Sequence, residues 1–364
     1  MSLRSVFKNL VVELLVELLK AYSPTFEESG ATKVLKEFAE SRLSFDSVRT
    51  DSVGNLIASY GGGSVSVALI GHIDTVPGYI PVRTEGGAIW GRGAVDAKGP
   101  LAAAFVGASL AREMINDENL RVYAIALVGE EGPSHGAWNL VKEGFRADYV
   151  IICEPSNTTD VIIEYRGSAS VVIKCYSRGG HASSPHIGES ACDKLISAWI
   201  AIKEAFSGTS ASEFTSALTR LVCGEGGTVL PREGFMEVNI RVPHGYGESD
   251  FRRLIAELNL PSNCYLTLTS FTEPVKVPVN SLIVRATYRA LLKQGIRPRL
   301  ARKLGTSDMN VLYGRVSSEV VAYGPGDPAL SHSDEEYVRV SDLALGTLIY
   351  ANVIRELSEL GARK

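Results

Sequence analysis

Seven side chains in this 364-residue chain stand where they could bind metal ions or move protons: His72, Asp74, Asp96, Glu130, Glu131, Glu154 and His332. The apolar run Val65–Ile70 leads directly into Gly71-His72-Ile73-Asp74. Side chains on a strand alternate faces, so His72 and Asp74 point the same way. An imidazole and a carboxylate so placed suit a metal ligand and its orienting partner. Asp96 lies in a glycine-rich turn, Gly91 to Gly99, ahead of an alanine-rich helix (Leu101 to about Ile115) that Pro100 introduces. Singly, each residue has a plainer reading: a histidine as a strand-end cap, an aspartate as a turn former. The loop matches neither GxGxxG nor GxxxxGK[ST], and Asp96 would repel a phosphate there. The shared placement changes the balance. His72, Glu130, Glu131 and Glu154 all fall at the carboxyl ends of apolar strands, where sites gather in α/β sheets.

Two histidines, His72 and His332, and three carboxylates, Asp96, Glu131 and Glu154, with no sulfur, suit zinc, or cobalt or manganese in its place. Three carboxylates are too many charges for one four-ligand zinc that keeps a water. They suit two metals sharing a bridging carboxylate, a hydrolytic arrangement with ions about 3.5–4 Å apart. The adjacent Glu130 and Glu131 can diverge, one to a metal and the other toward the metal-bound water as general base.

The surrounding pattern is that of an α/β protein. The apolar stretch Leu10–Leu19 is interrupted by Glu13 and Glu17, and its apolar residues recur at helical spacing, so it reads as an amphipathic surface helix, not a signal or a membrane span. Thr25 and Glu28 make a capping box for a second helix reaching about Leu43. Strands at Phe45–Arg49, Asn55–Tyr60, Val65–Ile70, Arg121–Val128 and Tyr149–Cys153 alternate with helices, which predicts a mostly parallel sheet. From about Gly167 the order becomes strand, helix, two strands, helix, strand, that of a ferredoxin-like α+β unit. The α/β pattern resumes at Pro278, and a helix over Ser341–Leu360 closes it. The expected division is 1–165 with 274–364 as the metal-binding domain and 166–273 as an inserted domain.

Bulk properties exclude several classes. Hydrophobic content of 45% and charged content of 21% describe an ordinary globular protein, and a net charge of -4 implies no general affinity for nucleic acid. The cysteines Cys153, Cys175, Cys192, Cys223 and Cys264 are odd in number, scattered and without CxxC. That argues against a disulfide framework or thiolate site, and suits a reducing cytoplasm.

The motifs GHIDTVPG, GRGAVDAKGP, GEEG, EPS, RGGHASSP, GTSD and the late His332 run in order over nearly the whole chain. Together they resemble the di-zinc M20 peptidases and deacylases, which include acetylornithine deacetylase, succinyl-diaminopimelate desuccinylase and aminoacylase-type enzymes. The resemblance implies a di-zinc hydrolase domain with an inserted dimerisation and lid domain. It places one metal on His72, Asp96 and Glu154 and the other on Asp96, Glu131 and His332. Asp74 would orient His72. Glu130 would take a proton from the water between the metals and hand it to the leaving amine. His181 looks like the histidine that a homodimer supplies to the opposite subunit's site to steady the oxyanion. Arg241 looks like the grip on a substrate carboxylate, and Thr306 and Ser307 like pocket-lining residues. His135, His186 and His244 match no ligand position. One departure concerns Gly227-Thr228-Val229-Leu230-Pro231: many members carry asparagine where Thr228 stands.

Within the family, DTVPGYI, GRGAVDAKGPL, EYRGS, RALLKQGIRPRLARKLGTSDMN and YGPG are similar to the members that release lysine or ornithine from an acidic amino-group carrier protein. The basic run Arg297, Arg299, Arg302 and Lys303 would then dock the carrier, although such runs are usually solvated faces. An acetylornithine deacetylase, a desuccinylase or a dipeptidase would use the same metals on a small substrate. A non-catalytic binding module would have lost a ligand or Glu130, and every one is present.

Overall fold

A computed structural model describes residues 3–115 and 118–361. The chain forms two compact units. One takes the chain up to Ile163, Val277–Ala301 and from Ser307 on; the other takes Glu164–Lys276 with Arg302–Thr306.

The first unit is built on a sheet whose strands run in the order Ser47–Thr50, Leu56–Tyr60, Leu120–Leu127, Val65–His72, Tyr149–Cys153, Val320–Tyr323 and Asp160–Tyr165. The four central strands, Leu120–Leu127 to Val320–Tyr323, are parallel, and the flanking pairings are antiparallel. Val67–Ile70 and Tyr149–Cys153 are buried at every position. Strands covered on both faces read as unbroken apolar runs, which is why the sequence shows them so clearly. Helices Leu3–Lys20, Lys98–Met114 and Val340–Gly361 pack on one another, and Lys98–Met114 also lies against Val65–His72. A small separate sheet joins Arg83–Glu85, Ala88–Trp90 and Tyr337–Arg339.

The second unit is an antiparallel sheet in the order Thr215–Cys223, Glu233–Val242, Gly167–Tyr176, Cys264–Thr272. With helices Ala191–Ala205 and Glu248–Ala256 after the first and third strands, this is the ferredoxin-like order. Alternate residues of Gly167–Tyr176 are buried, and they join Leu195, Ile202 and Phe251 in the core of this unit.

Three local expectations are corrected. Thr25 does not cap the second helix, which runs Ser29–Arg42 after Glu28 with no side-chain cap. Instead Thr25 Oγ1 donates to Asp74 Oδ2 (2.8 Å), a partner 49 residues away, and Glu28 accepts from the Phe26 amide. The basic run is not one patch. Arg299–Lys303 is a strand, so Arg302 faces opposite to Arg299 and Lys303. Arg299 is already held by both oxygens of Asp160 at 3.0 Å.

The third correction concerns the cysteines. Cys175 and Cys264 are bridged across directly paired strands, and Cys192 is bridged to Cys223, leaving Cys153 buried and free. Neither pair is near in sequence, with separations of 89 and 31 residues, so spacing gave no sign of them. Disulfides persist in oxidising compartments and also inside hyperthermophile cells, so the cysteines no longer argue for a reducing cytoplasm. Among the described residues no helix is long and apolar enough to cross a membrane. Thiol titration of the denatured, unreduced chain should find one reactive group, Cys153, and five after reduction. Reduction should lower the melting temperature, since bridges of this kind contribute about 2–4 kcal/mol each.

Candidate metal centre

Parallel pairing brings the candidate ligands together. Val65–His72 lies between Leu120–Leu127 and Tyr149–Cys153 in the sheet, so His72, the Glu130-Glu131 turn and Glu154 emerge at neighbouring carboxyl ends. Adjacent strands are about 4.8 Å apart, close enough for these side chains to share ions. His332 follows Val320–Tyr323, the next strand along. Asp96 comes from the loop before Lys98–Met114, at the positive end of that helix.

The resulting cluster has Asp96 at its centre. Asp96 Oδ1 is 3.3 Å from His72 Nε2, and Asp96 Oδ2 is 3.4 Å from His332 Nε2. His72 Nε2 also lies 3.6 Å from Glu154 Oε1, and His332 Nε2 lies 2.7 Å from Glu131 Oε1. Single donor atoms of His72, Asp96 and Glu131 all fall within 4.8 Å of one another. Glu130 lies among the same charges. Burial pushes its carboxyl well above the usual range; His72 opposes this, and Glu154, Asp308 and Glu131 add to it.

Asp74 has a broader part than orienting His72. His72 Nδ1 is held at 2.9 Å by the Asp74 backbone carbonyl, with the Asp74 carboxylate at 3.5 Å. That carboxylate accepts from the Glu130 amide at one oxygen and the Glu131 amide at the other, both at 3.1 Å, besides Thr25. It therefore sets the backbone from which both glutamates project. The turn also requires Gly129, whose φ is 76° and where a Cβ would lie 2.1 Å from His135 Nδ1.

Sequence reasoning passed over three buried charges here. Lys98 is fully buried, and its Nζ donates to the Leu18 and Ala21 carbonyls, both at 2.9 Å, tying the end of the first helix to the Asp96 loop. Burial pulls its pKa down to about 7. Asp308, pushed up to about 7 by burial, has one oxygen without a hydrogen-bond partner and feels His72, Asp74 and Glu131. Glu336 is buried against the Asp96 loop. Lys98 stands beside an apolar helix start, a usable signal; Glu336 stands in a polar stretch and offers none.

The donor set fits divalent cations. His72 presents Nε2 while Nδ1 is held from behind, oxygen donors surround both imidazoles, and the crowded carboxylates favour added positive charge.

Residues 68–356 match the model of peptidase family M20/M25/M40. The chain belongs to that family. A LysW-lysine/LysW-ornithine hydrolase from Sulfurisphaera tokodaii is 39% identical over 352 residues, 95% of each chain. A tripeptidase structure from Staphylococcus aureus superposes with a TM-score of 0.83 at 20% identity, over 97% of this chain and 99% of that one. A Bacillus subtilis structure described as a dinuclear metal binding peptidase of the M20 family has a TM-score of 0.73 at 13% identity, over 96% and 98%. These two show the shared fold. M20 peptidases are metal-dependent hydrolases, and this chain is an enzyme of that family.

The other candidates have the following surroundings within their own units. Ser307 is the buried N-cap of Asp308–Leu312, its Oγ accepting from the Met309 amide, while Thr306 is half-buried in the second unit. His181 is also in the second unit, exposed, with Nδ1 bonded to Ser183. Gly180–His181 pairs with Val229–Leu230, and the Ala182 amide donates to Thr228 O at 2.8 Å, so Thr228 and His181 are neighbours. Arg241 is partly buried, its guanidinium pKa lowered by that burial. The buried Arg166 donates to the Arg241 carbonyl at 3.1 Å and was not singled out in the sequence.

A pH effect follows. Burial would lower the pKa of His72, but Asp74, Asp96, Glu130 and Glu154 together raise it well above the ordinary value; Glu131 raises that of His332. At neutral pH the metal-free chain therefore carries protons that metal must expel. Apparent metal affinity should rise with pH through neutrality, and calorimetry in buffers of different ionisation enthalpy should show proton release. An affinity flat between pH 6 and 8 would contradict this.

Proposed function

We propose that the chain is a two-metal amidohydrolase that releases lysine or ornithine from an amino-group carrier protein. The observation that carries the two-metal reading is the division of Asp96, with one oxygen toward His72 and the other toward His332. In this reading His72, Asp96 and Glu154 hold one ion and Asp96, Glu131 and His332 the other. Zinc is the expected ion. Bound there, such ions would polarise the scissile carbonyl and make water acidic enough to attack near neutral pH.

The chain's own residues do the rest. Asp74 fixes the imidazole of His72 and the turn of Glu130 and Glu131. Glu130 takes the proton of the attacking water and gives it to the departing nitrogen as the C–N bond breaks. His181 steadies the oxyanion, in the family manner from the partner of a homodimer. Arg241 takes the carboxylate of the released amino acid.

The carrier substrate is supported by the 39% identical relative, whose name specifies LysW-bound lysine and ornithine. The scissile bond would then join the γ-carboxyl of the carrier's C-terminal glutamate to the α-amino group of lysine or ornithine. The dispersal of the basic run favours keeping a second reading, a small N-acyl amino acid such as N-acetylornithine, which needs no docking surface.

Glu130→Gln should lower kcat about 10²–10⁴-fold with bound metal unchanged on elemental analysis; loss of metal instead would make Glu130 a ligand. Arg297→Glu with Arg302→Glu, two exposed positions, should raise KM for carrier-linked lysine and leave N-acetylornithine alone. Equal effects on both substrates would remove these arginines from docking. Chelator should abolish release of lysine from the carrier. Chelator-sensitive cleavage of N-acetylornithine alone would discard the carrier and keep the metals.

A further inference from the structure

Glu336 is 1% exposed and has no part in the chemistry above. Its carboxylate is nonetheless fully engaged. Oε1 accepts from the Val95 amide at 2.9 Å and the Asp96 amide at 3.0 Å. Oε2 accepts from the Gly93 amide at 3.0 Å and from Arg92 Nη1 at 3.1 Å. The Glu336 backbone carbonyl accepts from the Gly91 amide at 3.2 Å. Every one of these donors belongs to the loop that ends in Asp96.

Arg92, itself 4% exposed, extends the grip the other way. Its Nη1 also donates to the Ser333 carbonyl at 2.9 Å, and its Nε to the Gly78 carbonyl at 2.8 Å. Ser333 adjoins His332, whose φ of 62° is a conformation that a residue with a Cβ holds only when its surroundings impose it. One buried ion pair thus reaches the backbone of Asp96 on one side and the backbone beside His332 on the other. His72 and Glu154 differ. They stand at the carboxyl ends of hydrogen-bonded central strands.

We infer that Glu336, with Arg92, is a positioning residue that sets Asp96 and His332 in register, so that the second ion site depends on it far more than the first. This rests on the two-metal reading. Partners that orient metal ligands typically alter metal affinity about 10–100-fold when removed. Here the loss should be uneven. The site of Asp96, Glu131 and His332 takes two ligands from the braced loops. The site of His72, Asp96 and Glu154 takes one.

The test is a titration of the metal-stripped full chain with Co²⁺, followed by visible absorption and by counting bound ions. The wild type should bind two. Glu336→Gln, which turns an amide group toward backbone N–H donors, should bind the first ion nearly as tightly and the second about 10–100-fold more weakly. Glu356→Gln is the control. Glu356 is equally buried and paired with Lys293 and Arg289, remote from the ligands in its contacts. It should lower the melting temperature and leave both affinities unchanged. Should Glu336→Gln fail to fold, Arg92→Lys removes the same bridge from its other end and should show the same selective loss. Two ions on the wild type with an unweakened second ion on Glu336→Gln or Arg92→Lys would overturn this inference alone. Fewer than two ions on the wild type would overturn the two-metal reading and this inference with it.

Discussion

Like charge crowded out of water is the constraint on which the first unit depends. Asp96, Glu131 and Glu154 converge on two imidazoles, with Asp74, Glu130 and Asp308 close behind. At an effective dielectric of about 20, two like charges some 4 Å apart cost roughly 4 kcal/mol. A chain free to relax would spread such groups apart or keep them protonated. Here burial already drives Glu130 and Asp308 upward, while the histidines hold Asp96 down. Divalent cations are the natural answer to this arrangement, and the backbone must hold the carboxylates together until they arrive.

The holding is done by two kinds of structure. Parallel strands with apolar side chains on both faces supply rigid ends for His72, the glutamate turn and Glu154. Loops supply Asp96 and His332, and loops must be braced. Asp74 braces the glutamate turn through two backbone amides, Lys98 ties the Asp96 loop to the end of the first helix, and Glu336 gathers the amides that precede Asp96. In each case a buried charge is satisfied by backbone groups, which gives charge-assisted bonds without leaving an orphan.

This division explains what could be read from the sequence. The central strands and the residues at their ends were legible, because an unbroken apolar run ending in glycine and a polar residue is a local signal. The ferredoxin-like unit was legible from its alternating strands. What failed depended on partners far away in sequence. Thr25 sits in a T-x-x-E pattern that looks like a helix cap, but Asp74 competes for its hydroxyl and wins. The bridges Cys175–Cys264 and Cys192–Cys223 depend on strand register and helix packing that no spacing rule carries. The strand Arg299–Lys303 is too polar to read as one, and the pairing of Arg299 with Asp160, 139 residues away, has no local sign.

Anomalous diffraction from crystals grown with zinc addresses most directly whether Asp96 is shared by two ions. Two peaks about 3.5–4 Å apart, one bounded by His72, Asp96 and Glu154 and the other by Asp96, Glu131 and His332, are the predicted result. A single peak, or a pair of which one does not touch Asp96, would rule out an Asp96 shared by two ions.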